Sequence, residues 1–128
     1  MVSQRSCDKE KVTGLGGFFF RSEHPEKLAQ WYKDTLGIDL VPTAEDQVPW
    51  ITEGGPMVFA PFSSDTTYFA ADKPFMLNFN VRDLAALVAQ LEKAGIKVAV
   101  KDPMPGIGKF AHLVDPAGTP IELWEPEG

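Results

Sequence analysis

An internal repeat governs what this chain can fold into. Phe20 and Phe79 lie 59 residues apart, as do Leu28 and Leu87, and Gly37-Ile38 precedes Gly95-Ile96 by 58. Gly54-Gly-Pro-Met-Val-Phe-Ala-Pro61 corresponds to Gly118-Thr-Pro-Ile-Glu-Leu-Trp-Glu125 at a separation of 64. The separations change only between elements, where loops absorb insertions. Each copy, of roughly 55 residues, is too small to bury a sufficient core alone. The two copies must therefore pack on one another.

Each copy reads as strand, helix, then three strands. Leu15–Ser22 is short and aromatic and is entered through glycines, which predicts a strand. Pro25 suits a first helical position. Leu28, Trp31, Tyr32 and Leu36 follow at helical spacing as a core stripe, and Gly37 closes the helix. Strands are expected at 38–41, at 48–52 (an edge, because of Pro49) and at 57–60, with a turn at Gly54-Gly55. The second copy starts with an alternating strand at 75–81. Asp83 is placed to cap a helix bearing Leu84, Leu87, Val88, Leu91 and Ala94, which Gly95 ends. A strand at 96–100 and a glycine- and proline-rich loop over 103–108 follow, the loop being either a cover or a plain connection.

The chain closes on a hairpin. Asp115-Pro-Ala-Gly118 has a turn's residue types in a turn's order. Alternation puts Phe110, His112 and Val114 on one face of the first strand and Ala111 and Leu113 on the other. In the second strand Ile121 and Leu123 point to the core, and Glu122 and Trp124 point away from it. A carboxylate at that position, beside a tryptophan, needs a reason.

The predicted architecture is α+β: two βαβββ modules in tandem, forming a curled mixed sheet around a shared cavity with the helices outside. The expected boundaries are a flexible tail over 1–12 and a single domain over 13–126, with module one at 13–62, a linker at 63–74 and module two at 75–126. Cys7 is the only cysteine and falls in the tail, so an internal disulfide and a thiolate cluster are both excluded. A net charge of −6, with basic residues scattered, argues against nucleic acid. No apolar run approaches the ~20 residues of a membrane span, and the polar start lacks a signal peptide's apolar core. A cytoplasmic location is expected.

These stretches resemble the vicinal oxygen chelate superfamily, which includes glyoxalase I, bleomycin-resistance proteins and extradiol dioxygenases. The resemblance is carried by Gly17–Ser22 with Leu28–Gly37, by Phe79–Gly95, and above all by Asp115-Pro-Ala-Gly-Thr-Pro-Ile-Glu-Leu-Trp-Glu-Pro126. It implies the paired-module fold, frequent dimers, and a divalent metal held by the first and last strand of each module. Carried over residue by residue, the ligand positions fall at Gly17, Met76, Val58 and Glu122. Only Glu122 can ligate a hard or borderline cation. The resemblance thus implies the fold while the residues argue against its usual metal, with Glu122 the one ligand if any binds.

The candidate chemistry centres on Glu122 and His112. His112 should lie opposite Ile121 or Glu122, depending on a bulge. If it shares a face with Glu122, a carboxylate-oriented imidazole results; the alternative is a structural cross-strand contact. His24 reads as an exposed residue before the first helix. Alternation places Phe18, Phe20, Leu77, Phe79 and Val81 toward the helices. It leaves Phe19, Arg21, Met76, Asn78, Asn80 and Trp124 around the cavity as substrate-binding candidates, with Trp50 closing one side. Arg21 could meet an anionic group or pair with Glu122. Phe62, Tyr68 and Phe69 could cover the core or form a dimer contact.

The leading expectation is a glyoxalase/bleomycin-resistance/dioxygenase-like protein that binds or transforms a small organic molecule in the inter-module cavity without the usual divalent metal. A metal-dependent lyase, isomerase or dioxygenase using Glu122 and His112 is the first alternative. A non-catalytic ligand-sequestering protein is the second. The expected partners are a small molecule and a second copy of the chain.

Overall fold

The computed structural model describes residues 9–36, 38–42, 49–52 and 55–127. Cys7, Gly37, Val48 and Gly54 lie outside them, and with them the roles read for the tail, the first helix closure, the start of the edge strand and one turn residue.

Seven strands and two helices are present among the described residues: β1 Val12–Ser22, α1 Pro25–Leu36, β2 Trp50–Thr52, β3 Gly55–Ser63, β4 Phe75–Val81, α2 Leu84–Lys93, β5 Ala99–Val100, β6 Gly108–Val114 and β7 Pro120–Pro126. They form one sheet in the order β2-β3-β1-β4-β7-β6-β5. β1 pairs in parallel with β3, and β4 with β7. Antiparallel pairing of β1 with β4 joins the modules at the centre. This is the predicted class, a mixed sheet with helices on one face.

The face assignments follow from strand alternation. Phe18 stacks with Phe20, Phe59 and Phe75, and Tyr32 of α1 meets Phe59 edge-on at 4.9 Å. In module two Leu84, Leu87 and Val88 of α2 pack with Val81, Ala111 and Leu123. The predicted cap holds: the Asp83 side chain accepts from the Ala86 N–H at 3.1 Å. Gly95 adopts φ 85°, a left-handed conformation open to glycine, and α2 ends there. Opposite the helices, Phe19, Ala60, Phe69 and Met76 make a second buried cluster, joined by Phe62 and Val58. Phe62 and Phe69 therefore cover this core.

Several expectations are corrected. No strand forms over 38–42. Pro42 cannot donate to a ladder, and Val41 and Pro42 are used as cavity wall instead. The 96–100 strand shrinks to Ala99–Val100, because the Ile96 N–H turns back to the Leu91 carbonyl at 3.0 Å in closing α2. Trp31 is 52% exposed and does not join the core stripe; it stands edge-on to Tyr32. Within the segment read as a tail, the Glu10 N–H donates to Gln90 and its carboxylate pairs with Arg82.

The repeat register also needs a two-residue correction. Gly17 pairs with Asn78 across the centre, not with Met76. Gly17 is in register with Val58, and Asn78 with Glu122. Bulges in β1, at Val12/Gly14 and Leu15/Gly17, shift the strand relative to its copy. The positions at which the resemblance implies metal ligands are thereby read as Gly17, Val58, Asn78 and Glu122, which stand side by side on neighbouring strands.

Candidate functional site

The closing hairpin forms as its turn chemistry dictates. The Asp115 carboxylate accepts from the Ala117 and Thr119 N–H groups, and the Gly118 N–H donates to the Asp115 carbonyl at 2.9 Å. These bonds hold the Asp115 carboxyl below its ordinary range, that from Thr119 most strongly. The turn carries one extra residue, with Gly118 left-handed at φ 89° and the Asp115 N–H donating to the Thr119 carbonyl, so His112 falls opposite Glu122 rather than Ile121.

Glu122 is 1% exposed. Three side chains converge on it. His112 Nε2 lies 2.8 Å from Oε2, Asn78 Nδ2 donates to Oε1 at 2.7 Å, and the Tyr68 hydroxyl donates to Oε2. A buried carboxylate with several donors is a satisfied charge. The Tyr68 and His112 rings also meet edge-on at 5.1 Å. Burial first, then the adjacent Glu122 charge and their hydrogen bond, push the Tyr68 phenol well above its ordinary value.

A cavity of about 210 Å³ opens beside this cluster, walled by Phe19, Phe62, Phe110 and Trp124, with Glu122, Asn78 and Tyr68 as its polar groups. Phe110 and Trp124 stack at 6.2 Å, and Trp124 Nε1 donates to the Ile107 carbonyl. The loop before β6 supplies Met104 and Ile107 to one side.

Of the residues read from sequence, Phe19, Asn78, Glu122 and Trp124 line this cavity. His112 does not line it and reaches it through Glu122 and Tyr68. Asn80 is buried behind it and donates to the Pro56 carbonyl, and Met76 lines a neighbouring pocket. Trp50 is half-buried opposite Met57 on the edge strand and is not part of the wall. Arg21 is the clearest departure. Its side chain donates to the carbonyls of Lys73, Ser64, Thr66, Phe69 and Ala70, at 2.7–3.1 Å. All five guanidinium donors are used on the 64–73 loop, and neither a ligand nor Glu122 is within their use.

Tyr68 is the site residue that sequence reading missed. It sits in what looked like a linker, and its hydroxyl reaches Glu122 only because that loop crosses the sheet face. No local pattern announces it. Arg21, projecting from β1, was the one available signal that the loop is anchored.

The positions for a family metal do not make a ligand set. A Cβ on Gly17 would come within 2.5 Å of the Val58 carbonyl, so no side chain fits there. Val58 has no donor atom. Asn78 turns its N–H toward Glu122, and its Oδ1 is buried without a hydrogen-bond partner; a Cβ on Gly16 would strike it. Among the described residues no three His, Cys, Asp or Glu side chains converge.

Comparison with known proteins gives a consistent relationship. A family described as a glyoxalase-like domain matches residues 17–124. Methylmalonyl-CoA epimerase from Mycobacterium tuberculosis superposes with a TM-score of 0.67 at 21% identity, covering 100% of this chain and 94% of that one. A variant of the Streptomyces coelicolor methylmalonyl-CoA epimerase, in complex with 2-nitronate-propionyl-CoA, gives 0.66 at 17%, covering 92% and 100%. A catechol 2,3-dioxygenase gives 0.59 at 20%, covering 92% of this chain and 41% of that chain. No curated protein sequence matches the chain.

Proposed function

Because this chain belongs to the glyoxalase-like family of the vicinal oxygen chelate superfamily, we propose that its inter-module cavity binds a small organic molecule through Glu122, without the divalent metal usual in that superfamily. The observation that carries the reading is the convergence of Tyr68, Asn78 and His112 on Glu122, at the place where metal ligands would stand.

A carboxylate offers about four acceptor positions. Three are taken, two on Oε2 and one on Oε1. The one left, on Oε1, suits an O–H, an N–H or an acidified C–H of a ligand. The cavity's about 210 Å³ falls below the roughly 300–1,000 Å³ of drug-sized sites. A compound of one ring, or the acyl end of a larger one, matches that space. The four aromatic walls favour a flat or apolar body, with Glu122 giving orientation. The names of the similar structures, an epimerase of a CoA thioester and a dioxygenase of catechol, include substrates with such a group.

The metal-dependent alternative would need His112 Nε2 and Glu122 Oε2 to part and to be joined by further ligands. The residues at Gly17, Val58 and Asn78 do not supply them, and no step is assigned to a metal.

The test has three readouts. Protein purified without chelator is analysed for zinc, iron, nickel and manganese, and a panel of one-ring phenols, enols and short acyl compounds is screened by thermal shift. Expected are metal well below stoichiometry and a stabilising ligand whose effect is lost in Glu122→Gln. Near-stoichiometric metal that Glu122→Ala releases would overturn the metal-free reading. Chromatography after long incubation decides between transformation and sequestration of the ligand found.

A further inference from the structure

Tyr68 is a partition with two sides. One side faces the cavity just described; the other faces a second pocket of about 420 Å³ toward the hairpin tip. Its bed is apolar, from Phe69, Met76, Ile96, Leu113, Val114 and Pro120. Its charged groups are Lys73 and Lys97, and His112 stands at the partition. No aspartate or glutamate lines it, in a chain with 18 acidic and 12 basic residues. Asp72 and Asp115 are close in sequence but not in the lining, and the Asp115 carboxylate is engaged with the Ala117 and Thr119 N–H groups.

Lys73 and Lys97 have no carboxylate partner among the described residues. The Lys73 ammonium is held over the hairpin tip, where a Cβ on Gly118 would lie 3.1 Å from Nζ. Two ammonium groups beside an apolar hollow whose lining holds no carboxylate complement a ligand that is both anionic and apolar.

We propose that this outer pocket binds an organic anion, a carboxylate on an aliphatic or aromatic body. The carboxylate accepts from Lys73 and Lys97, and the body lies on Ile96, Leu113 and Val114. An inorganic anion would leave the apolar bed uncovered, and a neutral hydrocarbon would leave the lysines without acceptors; only the combined chemistry uses both. The proposal does not rest on ligand binding in the inner cavity.

The test uses 4-phenylbutyrate against its neutral counterpart 4-phenylbutanol, on the full chain. Affinity is followed by calorimetry and location by methyl NMR. The carboxylate should bind about three- to tenfold more tightly than the alcohol, the range expected of two exposed ion pairs. That preference should vanish in the Lys73→Gln/Lys97→Gln double variant and shrink with added salt. Methyl shifts should fall on Ile96, Leu113 and Val114. Equal affinity for the two probes, a preference that survives the double variant, or shifts confined to Val41, Val58 and Ile107 of the inner cavity would each overturn the proposal.

Discussion

His112 and Glu122 face each other directly across the closing hairpin, with Nε2 2.8 Å from Oε2. The contact joins β6 to β7, and there Glu122 also accepts from Tyr68 and Asn78. Removing the carboxylate strands three donors at once. Glu122→Ala should cost about 3 kcal/mol or more, and Glu122→Gln distinctly less, because the amide oxygen keeps an acceptor. Urea unfolding of both variants measures this. A loss under about 1 kcal/mol in Glu122→Ala would show that the cluster holds little together.

Tyr68 imposes a pH dependence whose sign is fixed. Its folded-state pKa is raised above the ordinary value near 10. Below pH 10 both states keep the proton and stability is unaffected. As pH rises past 10 the unfolded chain releases the proton while the folded chain holds it, so stability falls. The Tyr68→Phe protein should show a smaller decline between pH 9 and 11 in denaturant midpoints. An identical decline in both proteins would contradict the raised pKa.

Gly17 leaves no room for a side chain. Gly17→Ala drives a methyl within 2.5 Å of the Val58 carbonyl and should cost about 1–3 kcal/mol by overpacking. Thermal unfolding reads the effect. An unchanged midpoint would mean that β1 and β3 separate more easily than their pairing indicates.

Arg21 anchors the loop that delivers Tyr68. Arg21→Lys keeps the charge but cannot serve five carbonyls with a planar fork. It should lose about 1.5–3 kcal/mol and speed both proteolysis and amide exchange within 64–73. Exchange in α2 should be unaffected at the same denaturant concentration. Uniform acceleration across the chain would point to a global effect instead.

What was legible in the sequence was legible for local reasons. The Asp115–Gly118 turn, the Asp83 cap and the alternation around Glu122 each depend on a few neighbouring residues and a fixed period. The His112–Glu122 contact depends on the one-residue bulge at Gly118, which moves the register from Ile121 to Glu122. Other features depend on distant geometry. Asn78 rather than Met76 pairs with Gly17 because bulges in β1 shift its register, and glycines there give no apolar period to count. Arg21 shares a strand with the cavity-facing Phe19, yet backbone carbonyls of a loop 43–52 residues away in sequence claim its donors. Tyr68 is invisible until that loop is placed.

The order of strands also bears on how the molecule comes together. β6 and β7 join through a tight turn, but each central pairing, β3 with β1, β1 with β4 and β4 with β7, links segments tens of residues apart. Such contacts carry a loop-closure entropy that must be met before they contribute. Gly17, Asn78 and Glu122 sit on those central strands. The groove that holds the Glu122 carboxylate therefore exists only once the two halves of the chain have found each other, and neither half can be excised with this groove intact.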